Sequence, residues 1–108
     1  MEKKVINGNA YIIQLVLKVV FIMDDETLKK IAYVNISSYR NKTVKALQNE
    51  VKTPTDISKD TGINRSHMSN VLRELKQSGI VECVNEEVRK GRIYRLTSTG
   101  EEIVEHLE

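Results

Sequence analysis

The sequence has little of the residue types that define several common classes of protein. Cys83 is the only cysteine, so an internal disulfide framework is excluded. His67 and His106 are the only histidines, and one thiol with two imidazoles does not give the usual ligand spacing of a metal site. We therefore expect no metal and no cofactor. Cys83 has apolar neighbours, which favours a buried side chain over a redox-sensing thiol.

Proline and glycine are also scarce. One proline and five glycines are spread over 108 residues, and no tract is dominated by one residue type, so neither a disordered linker nor a low-complexity segment is indicated. The length fits one globular core. Aromatic residues make up 5% of the chain and tryptophan is absent, which disfavours a stacking surface for single-stranded RNA.

Motifs for catalysis are missing as well. No pair of catalytic carboxylates, Ser-His-Asp set, Gly-rich phosphate loop or H-E-x-x-H pattern can be assembled from the sequence. We therefore predict that the protein is not an enzyme.

One apolar run, Ala10 to Met23, needs a separate explanation. It contains Gln14 and Lys18 and is shorter than the roughly 20 residues that span a bilayer, so we predict no membrane segment or export signal and a cytoplasmic protein. Its composition allows a strand or a helix. We expect residues 1–23 to be a dimerisation element of a homodimer, with a segment folded back on its own core as the alternative.

Positive charge is concentrated in the middle of the chain. From Arg40 to Arg95, twelve Lys and Arg stand against seven Asp and Glu, whereas the segment from Leu96 onward has four glutamates and neither lysine nor arginine. Such an excess of positive charge suits a phosphate-binding surface, although a face that only contacts solvent could have the same excess.

The first two predicted helices follow from apolar spacing. Asp24 and Asp25 suit the first turn of a helix that continues to about Asn35. A second helix is predicted to begin near Arg40 to Lys42 and to be broken by Lys52, Thr53 and Pro54. The residues expected on the inner faces of these two helices are Leu28, Ile31 and Ala32, then Val44, Leu47 and Val51.

A helix-turn-helix pattern follows. Thr53 is expected to cap a short helix from Pro54 to about Asp60, and Gly62 suits a left-handed turn. Asn64 should then cap a longer helix over about 64–78. The apolar residues expected to face the core across this unit are Ile57, Ile63, Met68, Val71, Leu72 and Leu75.

The remaining chain changes to a period of two. Ile80 to Val84 and Arg92 to Thr97 are predicted strands, with Tyr94 and Leu96 on the core face. Residues 85–91 are expected to form an exposed hairpin loop. Ser98 and Glu101 have the spacing of a capping box ahead of a last short helix. The predicted fold is mainly α with a small two-stranded β wing, an α+β winged helix-turn-helix domain over 24–108.

The outer face of the longer helix is unusual in its chemistry. All its residues carry hydrogen-bonding groups and none is a carboxylate, although acidic residues are favourable near a helix N-terminus. Such side chains read bases in the major groove of DNA. The alternative is that this face of the helix only contacts solvent. The residues in this set are Arg65, Ser66, His67, Ser69, Asn70 and Arg73.

The predicted hairpin loop has a basic tip. Arg89, Lys90 and Arg92 surround Gly91, where close approach to a phosphate backbone or a minor groove is easy. Glu86 and Glu87 lie on the same loop, so it is not a purely cationic arm.

From about Arg40 to Leu107 the sequence resembles winged helix-turn-helix regulators, in particular the MarR/ArsR-like group of archaea and bacteria. The matching segments are TPTDISKDTGINRSHMSNVLRELKQSGIVE and RKGRIYRLTSTGEEI. The resemblance implies a transcription regulator that binds double-stranded DNA, with Arg65 to Arg73 facing the major groove, Thr55 and Lys59 near backbone phosphates, and Arg89 to Arg92 in the wing.

Two departures from this group limit the resemblance. A single cysteine cannot supply the thiolate clusters of the metal-sensing members. MarR-like proteins usually have long helices on both sides of the winged domain for dimerisation, whereas here only about ten residues follow the second strand. A winged-helix module that binds protein within the transcription machinery is the alternative function.

Overall fold

The computed structural model of the protein describes residues 24–108. The predicted dimerisation element, residues 1–23, lies outside the described residues. The described chain is mainly α with a small antiparallel sheet, which confirms the predicted fold class. Its elements are α1 (Asp25–Asn35), α2 (Ser38–Ala46), α3 (Pro54–Thr61), α4 (Arg65–Gln77), β1 (Val81–Cys83), β2 (Tyr94–Leu96) and α5 (Ser98–Val104).

Each of the first four helices begins at a side-chain cap. Thr53 Oγ1 accepts from the backbone N–H of Asp56 at 3.1 Å, and Asn64 Oδ1 accepts from that of His67 at 3.0 Å, as predicted. Asp24 and Ser37 cap α1 and α2 in the same way. These oxygens satisfy N–H groups that have no partner within the helix.

The predicted inner faces of α1 and α2 are partly wrong. Ala32 is exposed, and the buried residues of α1 are Thr27 and Val34. Helix α2 begins earlier than predicted because Ser37 caps it, and it ends at Ala46. Val51 therefore lies outside the helix and is 51% exposed.

The core is formed by residues of all five helices and of both strands. Its α4 side follows the predicted stripe, since all four apolar residues of that stripe are buried. Ile57 and Ile63 are also buried, as predicted. Burial of side chains of this size stabilises a domain by about 1.5–3 kcal/mol each, so this helical stripe fixes α4 firmly on the core. The buried residues of α4 are Met68, Val71, Leu72 and Leu75.

The sheet is shorter than the sequence suggested. Val81 pairs with Leu96 and Cys83 with Tyr94 in an antiparallel register, so the predicted strands are right in place but too long at both ends. Cys83 is buried, as expected. Lys52 adds an isolated bridge, in which Lys52 N donates to Tyr94 O at 3.1 Å and Tyr94 N donates to Lys52 O at 2.8 Å. This bridge fastens the segment before α3 to β2.

The last helix is capped by a different residue from the one predicted. Thr97, not Ser98, is the N-cap, and its Oγ1 accepts from the backbone N–H of Gly100 at 3.1 Å. The capping box of Ser98 and Glu101 is therefore wrong by one position. The Thr97 hydroxyl also donates to the Gly79 carbonyl at 2.7 Å, and this long-range hydrogen bond decides which of two adjacent hydroxyl residues is the cap.

Candidate nucleic-acid interface

The turn between α3 and α4 sets the direction of α4. Gly62 has φ +78°, a left-handed conformation that a side chain disfavours, and its N–H donates to the Ser58 carbonyl at 2.8 Å. Ile63 follows it and is 4% exposed. The glycine redirects the chain, and the buried isoleucine holds the angle between the two helices.

The outward face of α4 carries the predicted polar set, and all six residues are exposed. Two of them are occupied locally, because Ser66 Oγ donates to Asn64 Oδ1 at 2.8 Å and Ser69 Oγ donates to the Arg65 carbonyl at 3.2 Å. The longer side chains on this face are Arg65, His67, Asn70 and Arg73.

Helix α3 contributes the two further predicted residues, Thr55 and Lys59, both of which are exposed. The structure brings Thr55 next to α4, since Arg65 Nη1 donates to Thr55 Oγ1 at 2.5 Å. Lys59 lies nearer the end of α3, and within residues 24–108 no carboxylate forms an ion pair with it.

The wing, residues 85–92, is held in shape by its own side chains. Asn85 Oδ1 accepts from the Ile93 N–H at 2.9 Å, and Asn85 Nδ2 donates to the Gly91 carbonyl at 3.1 Å. Arg92 Nε donates to the Val88 carbonyl at 2.8 Å, and its Nη2 donates to that of Glu86 at 3.1 Å. Arg92 is thus half-buried and braces the loop rather than extending into solvent.

Arg89 and Lys90 are the exposed cations of the wing. Glu86, an acidic residue of the same loop, is directed toward α4, where Lys76 Nζ donates to its carboxylate at 2.7 Å. This hydrogen bond lowers the pKa of Glu86 and raises the pKa of Lys76 from their ordinary values. The pair therefore stays ionised near neutral pH and offsets its own charge.

Four other acidic residues between Arg40 and Arg95 are similarly paired. Glu50 and Asp60 contact Lys52, whose pKa the Asp60 hydrogen bond raises. Glu74 contacts Arg40 and Glu82 contacts Arg95. Between Arg40 and Arg95, five of the seven Asp and Glu side chains thus form ion pairs with four of the twelve Lys and Arg side chains, counted within residues 24–108. The eight remaining bases are Lys42, Lys45, Lys59, Arg65, Arg73, Arg89, Lys90 and Arg92.

Sequence reasoning missed one side chain at the edge of this surface. Tyr39, in the first turn of α2, packs edge-to-face on His67, with ring centroids 5.5 Å apart and planes at 75°. It is 40% exposed. This ring contact extends the polar face of α4 toward α2. No local pattern signals this contact, because the two residues lie on different helices.

Metal ligands do not gather in the described part of the chain: residues 24–108 contain no group of three His, Cys, Asp or Glu side chains that could hold an ion. In the same residues, no helix is long and apolar enough to cross a membrane.

The turn, the exposed polar helix and the braced basic loop together define a winged helix-turn-helix domain of the DNA-binding type. Residues 32–106 match the family described as "Sugar-specific transcriptional regulator TrmB". The chain belongs to this family of transcriptional regulators, which confirms the regulator class that the sequence indicated.

Solved structures of MarR-type regulators share the fold. The S. aureus MepR–DNA complex is 22% identical with a TM-score of 0.58, over 89% of this chain and 78% of MepR. NadR in complex with 4-hydroxyphenylacetate is 19% identical with a TM-score of 0.60, over 98% of this chain and 74% of NadR.

A third similar structure is that of a Lactococcus lactis ZitR mutant, 13% identical with a TM-score of 0.58, over 65% of this chain. The chain spans about half, 49%, of the length of ZitR. No curated protein sequence matches the chain. At these identities the likeness is one of fold.

Proposed function

We propose that the protein reads a specific sequence in double-stranded DNA, with α4 in the major groove and the wing on the backbone or in the minor groove. The observation that carries this proposal is the outward face of α4, where six exposed polar residues include no carboxylate. Side chains of this kind form hydrogen bonds with the edges of nucleobases. Nearby carboxylates pair with other lysine and arginine side chains, which keeps the surface positive.

We further propose that the protein acts in the cytoplasm as a homodimer. A helix-turn-helix dimer places two recognition helices on half-sites about one helical turn of DNA apart, and the apolar composition of residues 1–23 suits a dimer interface. Two copies also double the number of phosphate contacts, which strengthens binding at physiological salt.

Selection of duplexes by the purified protein from a random pool tests the proposal. We expect repeated selection to enrich one sequence. If a dimer binds it, its two half-sites should be related by a two-fold axis. The dissociation constants of the enriched duplex and of a shuffled duplex are then compared over a range of salt. Specific binding is typically at least about 1,000-fold tighter than nonspecific binding.

The alternative, a protein-interaction module of the transcription machinery, gives a different result. Such a module would enrich no sequence, and its association with any duplex would be weak and indifferent to sequence. That outcome would overturn the proposed function.

A further inference from the structure

A cationic cleft lies beside the N-terminal end of α4. It has a volume of about 360 Å³ and is bounded by the N-terminal end of α3, the first residue of α4 and the wing. No carboxylate lines it. Its polar lining consists of Thr53, Thr55, Arg65, Arg89, Lys90, Arg92 and Tyr94 of β2.

Arg65 is held at this cleft by a specific hydrogen bond. Its Nη1 donates to Thr55 Oγ1, which keeps the guanidinium against α3. A guanidinium has five N–H donors, so the hydrogen bond to Thr55 leaves four for a ligand. The Thr55 hydroxyl accepts from Arg65 and retains its own proton, which it can donate in turn.

The wing side of the cleft has one fixed and two exposed cations. Arg92 is fixed by its hydrogen bonds to the carbonyls of Val88 and Glu86. Arg89 and Lys90 are exposed and form no ion pair within residues 24–108. The cleft thus gathers four positive charges from two separate elements, with hydroxyl donors on its third side.

We propose that this cleft binds one backbone phosphate of the bound duplex, and that Arg65 contacts this phosphate rather than a base. A phosphodiester is a compact anion with acceptors only, which matches a lining made of donors. The inference rests on the proposed function. It leaves base reading to His67, Asn70 and Arg73, and it gives Arg65 the role of fixing the position of α4 in the groove.

Substitution of Arg65 shows whether this side chain contacts a phosphate or a base. For Arg65→Ala we expect the dissociation constants of the enriched and the shuffled duplex to rise by the same factor, about tenfold. The slope of log K against log salt should become shallower by about 0.9, the value for a single phosphate. Thr55→Val removes the hydroxyl partner of Arg65 and should also raise the dissociation constants of both duplexes.

Arg95→Ala is the matched control. Arg95 is exposed on β2, pairs with Glu82 and does not line the cleft, so its replacement removes one charge elsewhere and should leave the salt slope close to that of the parent. Thermal melting of the three variants verifies that they fold.

The phosphate itself is located with duplexes that carry a neutral methylphosphonate at one position at a time. We expect one position in each half-site at which the methylphosphonate weakens binding by the parent protein but does not change binding by Arg65→Ala. A rise in the dissociation constant of the enriched duplex alone would make Arg65 a base reader and overturn the inference, as would unchanged binding of both duplexes. If the parent enriches no sequence, the proposed function fails, while the salt slope still decides whether the cleft binds phosphate.

Discussion

Nε of Arg40 lies 3.3 Å from a carboxylate oxygen of Glu74, which joins α2 directly to α4. The same guanidinium donates to the Tyr33 carbonyl at 3.0 Å and lies 3.7 Å from the centre of the Tyr33 ring. One side chain therefore links three helices, α1, α2 and α4.

Arg40→Ala should lower the free energy of unfolding by about 1–3 kcal/mol, because it removes a hydrogen bond to a backbone carbonyl, a cation–π interaction and a half-exposed ion pair together. Urea unfolding followed by circular dichroism measures the change. Lys42→Ala, a substitution on the same helix at a position that forms no ion pair within residues 24–108, is the control and should change the free energy by less than about 0.5 kcal/mol. Equal effects of the two substitutions would show that Arg40 does not join the helices.

Gly100→Ala tests the close packing of α5 on the rest of the domain. A Cβ at this position would lie 2.2 Å from the Ile80 carbonyl oxygen and 3.1 Å from Leu96 Cβ, so the helix must shift. We expect a decrease of about 1–3 kcal/mol in unfolding free energy. Ser98→Ala is the control, since Ser98 is exposed and is not the cap; a similar decrease for both would contradict the packing seen here.

The parts of this fold that could be predicted from the sequence are those fixed by neighbours along the chain. Thr53, Pro54, Gly62 and Asn64 act within a few residues of themselves, so the boundaries of α3 and α4 followed from their chemistry. The apolar stripe of α4 followed from its spacing in the same way, because a helix places residues three and four apart on one face.

The features that could not be predicted depend on contacts between distant residues. The bridge from Lys52 to Tyr94 fastens β2 to the segment before α3, and Thr97, the cap of α5, also donates its hydroxyl to the distant Gly79 carbonyl. Similarly, Tyr39 belongs to the candidate site only because α2 packs beside α4. Spacing along the chain carries no information on such pairs.

The wing should contribute affinity with little sequence preference. Replacing Arg89 and Lys90 together by Ala should weaken binding to all duplexes alike and reduce the salt slope by about 0.9 for each phosphate that the wing no longer neutralises. Fluorescence anisotropy titrations at several salt concentrations measure both quantities. Glu87→Gln, on the same loop, removes a negative charge and should tighten binding slightly. An unchanged slope in the double variant would place the loop in solvent.

The dimer is tested on the full-length chain by light scattering at tens of micromolar protein, on the order of the concentration at which weak dimers form. We expect the mass of two chains. A variant without residues 1–23 should have the mass of one chain if the apolar run forms the interface, and circular dichroism verifies that its helices remain. A full-length monomer would contradict the proposed homodimer.

The most direct test of sequence reading by α4 compares the enriched and the shuffled duplex in single alanine variants of His67, Asn70 and Arg73. All three residues are exposed and outside the core, so thermal stability should be nearly unchanged. Each base contact discriminates by about 1–3 kcal/mol, so in at least one variant the ratio between the two dissociation constants should fall by about 5- to 150-fold. If all three variants keep the parent's ratio, sequence reading by α4 is contradicted.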